Sequence, residues 1–269
     1  MHHPQWKFVY PRELHRVWRQ DKADPLLAKL AVLRKKHLDD ANPDDRRFLA
    51  DLCRGRKAWS DHHTPTAWDI DQLYQWTNRR TTIVTCTRWA AGVVNRLTLQ
   101  VLFRNHNKRS VDSIPTDYEM NPGNYDERGN LLPNQPEPEW IDLYIGMRVV
   151  LTRNMNKDAH FVNGMVCTVE GYDAARHSVI AKTSTGRILA VCPVTDDDVP
   201  KGRCVYYPLR LGYASTVHKY QGAELDHVTF WPDRPASPAA GYVALSRVRR
   251  DSDYLIGGVV SCCHFAPAR

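Results

Sequence analysis

The sequence has no long apolar run. No segment approaches the roughly 18 consecutive apolar residues that a membrane-spanning helix needs. The residues that follow Met1 contain no apolar stretch either, so we expect no secretory signal. Apolar residues make up 42% of the 269 positions, and the mean hydropathy is −0.52. These values predict a chain that folds in water around a core of its own.

The cysteines form no regular framework. There are seven, an odd number at irregular spacings, which argues against a set of disulfides and suits a reducing compartment. The nucleus, the mitochondrial matrix and the cytosol all fit this expectation. The run Cys262-Cys263-His264 lacks the two-residue gap of common zinc sites and has no second pair. We therefore expect no metal site made by this chain.

The sequence also lacks a phosphate-binding loop. No Gly-Lys-Ser or Gly-Lys-Thr occurs in it, and no Asp-Glu pair ends an apolar strand. Asp126-Glu127 lies in a polar connector, where it is poorly placed to hold Mg²⁺. We expect that this chain alone neither binds ATP tightly nor hydrolyses it.

Positive charge is concentrated at the two ends of the chain. The net charge is +7, with 14 basic and 8 acidic residues among positions 1–60 and 9 basic against 5 acidic among positions 201–269. The intervening residues are slightly acidic. A basic surface attracts phosphate backbones through counterion release, but a charge of this size also suits an ordinary basic protein.

Strands and helices alternate in a way that predicts an α/β fold. Residues 24–38 have apolar residues at helical spacing, with Asp24 as the expected N-cap. A second, short helix is expected from Arg46 to Cys53. Residues 81–86 are β-branched and read as a buried strand that is followed by a helix, which is the pattern of a parallel sheet. A last strand is expected at residues 254–260.

The middle of the chain has a different pattern. Residues 105–140 are rich in Asn, Asp, Gly and Pro, which predicts a long connector or a poorly ordered loop. Four short strands separated by glycine turns follow between residues 141 and 199, a spacing that predicts a small β-barrel.

Two motifs near the C-terminal end carry the most information. The first runs from Gly212 to Asp226 and reads as a strand that ends in a turn rich in polar donors, with Gly222 and Glu224 beyond it. The second, Tyr242 to Arg247, reads as the start of a helix that presents one arginine.

Both motifs closely resemble the last two motifs of superfamily 1 DNA helicases of the PIF and RecD types. Three weaker resemblances precede them in the expected order, at Leu14–Asp21, Ile83–Arg88 and Leu143–Asn154. Tyr220 is a departure, because the family usually has serine there. The resemblance implies the C-terminal half of such a helicase: a RecA-like parallel sheet flanked by helices, without its own phosphate-binding loop, interrupted by a small SH3-like β-barrel.

The resemblance also implies a domain division. We expect a helical lead-in at residues 1–60, a split RecA-like lobe at residues 61–140 and 201–269, and the inserted barrel at residues 141–200. The first lobe of a two-lobed motor would then be absent from this sequence, and ATP and Mg²⁺ would be shared with that N-terminal lobe, in cis or in trans.

Site residues follow from the matched motifs. Arg247 and Arg19 are the expected catalytic arginines, which would neutralise charge on the γ-phosphate of ATP. Gln20, Gln221, Gly222 and Glu224 are expected near the nucleotide. For Arg247 the alternative is a surface ion pair, and for Glu224 it is an acid favoured at a helix start.

Single-stranded DNA is the other expected partner. Thr216, His218 and Lys219 from the first motif can bind phosphate without reading sequence, as can Thr85, Thr87 and Arg88 at the end of the predicted strand. The family implies a 5′-to-3′ DNA helicase. The alternative is a non-catalytic helicase remnant that binds nucleic acid or docks to a partner.

Overall fold

The computed structural model of the chain describes residues 20, 23–55, 62–106, 108–133, 136–155, 161–197, 204–220, 223–234 and 237–266. Five α-helices lie in these ranges: α1 Pro25–Lys35, α2 Pro43–Cys53, α3 Ala67–Trp76, α4 Arg88–Leu102 and α5 Ala240–Leu245. None of the described helices combines the length and the apolar character that crossing a bilayer requires. The predicted cap of α1 is confirmed, because the Asp24 carboxylate accepts from the Leu26 amide at 2.9 Å.

A parallel sheet is the centre of the fold. Its strands are β1 Thr81–Thr85, β11 Ala214–Thr216, β12 His227–Phe230 and β13 Tyr254–Ile256, in the order β11-β1-β12-β13. Every neighbouring pair is parallel. The final strand is shorter than the sequence predicted, since it ends at Ile256 and continues into Gly257 and Gly258, and Gly258 has φ of 66°.

Helices cover both faces of this sheet because its strands are apolar on both sides. Ile83 of β1 points into a core that contains residues of α3 and α4, whereas Val84 points into a second core made largely with α1, α2 and α5. All five residues of β1 are buried. Two buried faces are what a parallel sheet in an α/β fold requires, and the predicted fold class is confirmed.

The second sheet is antiparallel and open. Its strands, in the order β10-β4-β5-β6-β7, are Leu209–Leu211, Arg148–Leu151, Val166–Asp173, Ser178–Thr183 and Ile188–Val191. No closed barrel is seen in the described part of the chain, so the expected barrel is corrected to an open sheet of five strands. Its edge strand β10 lies after residue 200. That strand leads directly into β11, which places the second sheet against the parallel one.

The two sheets share a single apolar core. Ile83 and Val94 of the α/β layer belong to the same buried cluster as Val149 and Leu211 of the antiparallel sheet. Arg148 joins the sheets in addition, because its guanidinium donates to the carbonyls of Arg79 at 2.8 Å and Thr81 at 3.1 Å. The antiparallel sheet therefore packs as an integral part of the molecule.

The polar segment at residues 105–140 is folded, which corrects the prediction of a poorly ordered loop. It contains a two-stranded antiparallel ribbon, β2 Asp112–Thr116 and β3 Glu139–Leu143, and two 3₁₀ turns at Tyr118–Met120 and Pro122–Asn124. Its asparagine side chains hold the segment together through hydrogen bonds with the backbone. Asn124 donates to the carbonyls of Tyr118 and Glu137 and accepts from the Glu137 amide, each at 3.0 Å. Arg96 of α4 holds the segment in place through Glu139 at 2.7 Å.

The remaining short strands, β8 Val194–Asp196 and β9 Cys204–Tyr206, pair with each other. Tyr206 and Asp196 of this ribbon both contact the Arg153 guanidinium. The ribbon lies between β7 and β10 in the chain, before the chain returns to the parallel sheet at β11.

Candidate functional site

The carboxyl ends of β1 and β11 form a polar cleft. The strands are parallel neighbours, and Thr85 lies opposite Thr216 in the register. Beyond them, Thr87 caps α4 and a 3₁₀ turn spans Val217–Tyr220. The cleft between these segments has a volume of about 530 Å³. Ligands in α/β folds bind at such strand ends, because the loops that follow the strands leave side chains and amides exposed there.

Five of the six residues predicted to contact DNA line this one cleft: Thr87, Arg88, Thr216, His218 and Lys219. His218 and Lys219 are exposed, so His218 is not an interior histidine. The sixth residue, Thr85, is fully buried, and its hydroxyl donates to the Thr87 carbonyl at 3.0 Å. Thr85 lies beneath the cleft and supports the turn above it.

Asp233, which the sequence did not single out, supports the same turn. Its carboxylate accepts from the amides of Cys86 at 2.5 Å and Thr87 at 3.2 Å, and also from the Thr87 hydroxyl. Burial raises the pKa of Asp233, while the hydrogen bonds from Thr87 and Cys86 act in the opposite direction. Asp233 lies three residues after the end of β12, at the carboxyl edge of the sheet. No strand was predicted there from the sequence, so this signal was missed.

A second acid missed by sequence reasoning forms ion pairs with two cations of the cleft. Glu119, in the 3₁₀ turn Tyr118–Met120, lies 2.9 Å from the Lys219 ammonium and 3.5 Å from the Arg88 guanidinium. The hydrogen bond with the Tyr125 hydroxyl, at 3.4 Å, contributes most to raising the pKa of Arg88. Because Glu119 belongs to the polar connector, only the folding of that segment brings it to the strand ends.

Arg247 lies away from the cleft, at the end of α5. Its side chain is partly buried, and the guanidinium donates to the Val243 carbonyl at 2.9 Å, the Ser246 hydroxyl at 2.6 Å and the Tyr220 carbonyl at 3.2 Å. The last bond connects α5 to the turn after β11. Tyr220, the position at which the sequence departs from the motif that it resembles, packs with Val217 in the core on that side of the sheet.

Two other residues predicted near the nucleotide lie around the same turn. Gln20 donates from its side-chain amide to the Val248 carbonyl at 3.0 Å, and Glu224 pairs with Arg249 at 2.6 Å. The Leu225 amide also donates to the Arg247 carbonyl at 3.0 Å. The structure therefore brings Gln20, Glu224 and Arg247 to one place. Arg19, Gln221 and Gly222 lie outside the described residues.

The chemistry available at this turn is that of binding an anion. Arg247 supplies a permanent positive charge with a planar set of donors, which matches phosphate oxygens. Among the described residues, no group of three or more His, Cys, Asp or Glu side chains is placed to hold a metal ion. The described residues offer no ligand set for Mg²⁺.

A parallel sheet between two helical layers, with polar residues at the strand ends and an arginine at the end of a following helix, defines a RecA-like α/β lobe. In sequence and fold the chain is similar to Pif1-type DNA helicases. It is 27% identical over 254 residues to the ATP-dependent DNA helicase PIF6 of Trypanosoma brucei brucei, covering 90% of this chain. No protein-family model matches the sequence.

Solved Pif1 structures have the same fold. The structure of Bacteroides Pif1 bound to single-stranded DNA matches 94% of this chain with a TM-score of 0.59 and 19% identity. Bacteroides Pif1 in complex with ADP-AlF3 and single-stranded DNA matches the same share with a TM-score of 0.56 and 18% identity. This chain spans 31% of the length of the trypanosome protein and 53% of each Bacteroides chain.

Proposed function

We propose that this chain is the C-terminal motor lobe of an ATP-dependent 5′-to-3′ DNA helicase, supplying arginine fingers and contacts to single-stranded DNA but neither Walker A nor Walker B. One observation carries the proposal. Residues from two separate sequence motifs meet in the cleft at the ends of β1 and β11, while Arg247, from a third motif, lies at a different place beside the β11–β12 connection. A motor lobe needs both a surface for DNA and a surface for nucleotide.

The strand-end cleft is suited to a nucleic-acid backbone. It combines the cations Arg88 and Lys219 with the hydroxyl of Thr216. Such groups bind phosphate oxygens without distinguishing bases, and sequence-independent contact is what translocation along a strand requires. Bacteroides Pif1, a solved protein with a similar fold, has been captured with single-stranded DNA.

Arg247 is suited to a nucleotide bound at an interface between lobes. Arginine remains charged at any physiological pH and binds two oxygens at once. In other nucleotidases, an arginine supplied across an interface accelerates hydrolysis by about 10³–10⁵. We propose that an N-terminal RecA-like lobe, in cis or in trans, provides the phosphate-binding loop and the Mg²⁺ ligands that this sequence lacks, with Arg19 as the second arginine.

The test is DNA-stimulated ATP hydrolysis by this chain combined with an N-terminal lobe polypeptide of a Pif1-type helicase. We expect the mixture to hydrolyse ATP faster than the separate parts, and Arg247→Ala to lower the rate by about 10³ while single-stranded DNA still binds. The matched control is Arg176→Ala, which removes an exposed arginine of the β5–β6 turn. Equal losses of DNA binding and turnover in Arg247→Ala would contradict the role of Arg247.

The second candidate function is a non-catalytic helicase remnant that binds single-stranded DNA or docks to a partner. The observation in its favour is that the described cleft is complete within this chain, whereas the nucleotide site is not. Absence of any added hydrolysis in the mixture, together with salt-dependent binding of DNA by the chain alone, would select this candidate over the motor lobe.

A further inference from the structure

A second cavity, of about 520 Å³, lies between the antiparallel sheet and the described residues 218–220 and 223–225. One wall is a face of β4 and β10. Leu209 and Leu211 point into the core, so alternation along the strand turns Arg210 to the opposite face. Val150 lies opposite Arg210 in the antiparallel register, and Thr152 follows two residues later. Arg210, Val150 and Thr152 all line the cavity.

Arg210 is a buried cation with no ion-pair partner among the residues that the structure describes. Its side chain is 5% exposed, and its one hydrogen bond among the described residues goes to the carbonyl of the adjacent Leu211 at 3.3 Å. No carboxylate in the described part of the chain forms an ion pair with it. A guanidinium carries five N–H donors, and burying it without a counter-charge is unfavourable.

The acids of the cavity are paired with other cations. Glu119 contacts Lys219 and Arg88, and Glu224 contacts Arg249. The Thr152 hydroxyl is also buried without a hydrogen-bond partner in the structure. The cavity therefore presents one buried hydroxyl without a hydrogen-bond partner among the described residues and one guanidinium that carries a full positive charge.

We propose that this cavity is a phosphate-binding site in which Arg210 is the principal ligand and the Thr152 hydroxyl is a second donor. A guanidinium binds two oxygens of a phosphate side by side, and a hydroxyl donates to a third. A bound phosphate supplies the missing negative charge, and the cavity has room for a larger molecule that carries the group. The phosphate belongs either to a nucleic-acid backbone or to a small phosphorylated molecule.

The site is tested with inorganic pyrophosphate and the 269-residue chain. Ligands that bind the folded state raise the unfolding temperature, so we expect Tm to rise with pyrophosphate concentration at constant ionic strength. Arg210→Met should abolish this rise. It should also raise Tm in the absence of pyrophosphate, because it removes an uncompensated buried charge; a purely structural arginine would give the opposite change. Thr152→Val should reduce the rise.

Arg210→Gln serves as the second variant if Arg210→Met does not fold, because its neutral amide can still donate to the Leu211 carbonyl. The proposal would be overturned if pyrophosphate raised the Tm of a folded Arg210 variant as much as it raises the Tm of the wild-type chain. The proposal would also be overturned if none of pyrophosphate, ADP and an oligothymidylate raised the Tm of the wild-type chain.

The source of the phosphate is identified by competition. If oligothymidylate displaces pyrophosphate, and this displacement is lost in Arg210→Met, the site binds the DNA backbone. If ADP displaces pyrophosphate instead, the site binds a nucleotide. Arg88→Ala separates this inference from the proposed function. It should weaken oligothymidylate binding at the strand-end cleft but leave unchanged the part of the pyrophosphate-induced rise in Tm that Arg210→Met removes. Unchanged oligothymidylate binding by Arg88→Ala would count against the strand-end cleft alone.

Discussion

The carboxylate of Glu119 lies 2.9 Å from the ammonium group of Lys219, so an acid of the polar connector neutralises a cation of the strand-end cleft. The same carboxylate lies 3.5 Å from Arg88. A DNA phosphate that enters the cleft would have to displace Glu119 or share these cations with it. We therefore expect the acid to lower the affinity of the cleft for anions.

Glu119→Gln is therefore expected to strengthen the binding of single-stranded DNA. A partly exposed ion pair is worth up to about 1 kcal/mol, so the gain should be at most about fivefold. Binding should also become more dependent on salt, since two cations are freed. Fluorescence anisotropy of a labelled oligothymidylate across a range of salt measures both effects. Glu170→Gln, the same change at an exposed position of β5, is the control, and weaker binding by Glu119→Gln would show that Glu119 positions the cations.

Asp233→Ala should destabilise the turn after β1. The amides of Cys86 and Thr87 would lose their acceptor, and leaving buried donors unsatisfied costs about 1–3 kcal/mol. Because these amides fix the start of α4, DNA affinity should fall as well. Thermal unfolding and the anisotropy titration measure the two effects, with exposed Asp226→Ala as the control. An unchanged Tm would mean that the turn does not depend on Asp233.

Gly92→Ala should destabilise the fold because α4 passes very close to the connector. A Cβ at residue 92 would lie 2.2 Å from the Met120 carbonyl oxygen and 2.6 Å from Cδ of Pro122. Neither group is a flexible side-chain end, and overpacking of this kind costs about 1–3 kcal/mol. Chemical denaturation measures the loss. Gly171→Ala is the matched control, since a Cβ there meets nothing within 4 Å; equal stability of the two variants would show that the connector can move away from α4.

Asp45 should make the stability of the chain depend on pH. The hydrogen bond from Lys36 is the main cause that holds the pKa of Asp45 below its usual value, and its carboxylate also accepts from the Asp39 amide at 3.1 Å. A lowered pKa stabilises the fold above the unfolded value of about 3.9, and this contribution is lost as the pH falls through the folded value. Asp45→Asn should thus lower Tm at neutral pH and have no effect in strong acid. A constant difference in Tm from neutral to acid pH would contradict this assignment.

Much of the fold was readable from local patterns. The β-branched run at residues 81–85 forms β1, and the Thr87 side chain caps the helix that the sequence predicted after it. The helix predicted from Arg46 begins three residues earlier, at Pro43, because proline fits a first turn and Asn42 caps it. Such elements are determined by residues close to one another in the chain.

The polar connector was beyond prediction because its stability comes from distant partners. The Arg96 guanidinium of α4 donates to the side chains of Asn121 and Glu139 in the connector. Composition alone cannot specify such hydrogen bonds. The expected barrel was wrong for a related reason. Turn spacing gives the number of strands, but the closure of a sheet depends on how its edges meet in space, and here the edge strand β10 continues into the parallel sheet.

By itself, the sequence determined the α/β class, the strand–turn–helix unit around β1 and the polar residues that follow the strands, because spacing and side-chain type act locally. Only the tertiary structure decided that Glu119 pairs with Lys219, that Asp233 supports Thr87 and that Arg210 is buried with no ion-pair partner among the described residues. Each of these depends on segments far apart in the chain, and their contacts are set by the packing of two sheets around one shared core.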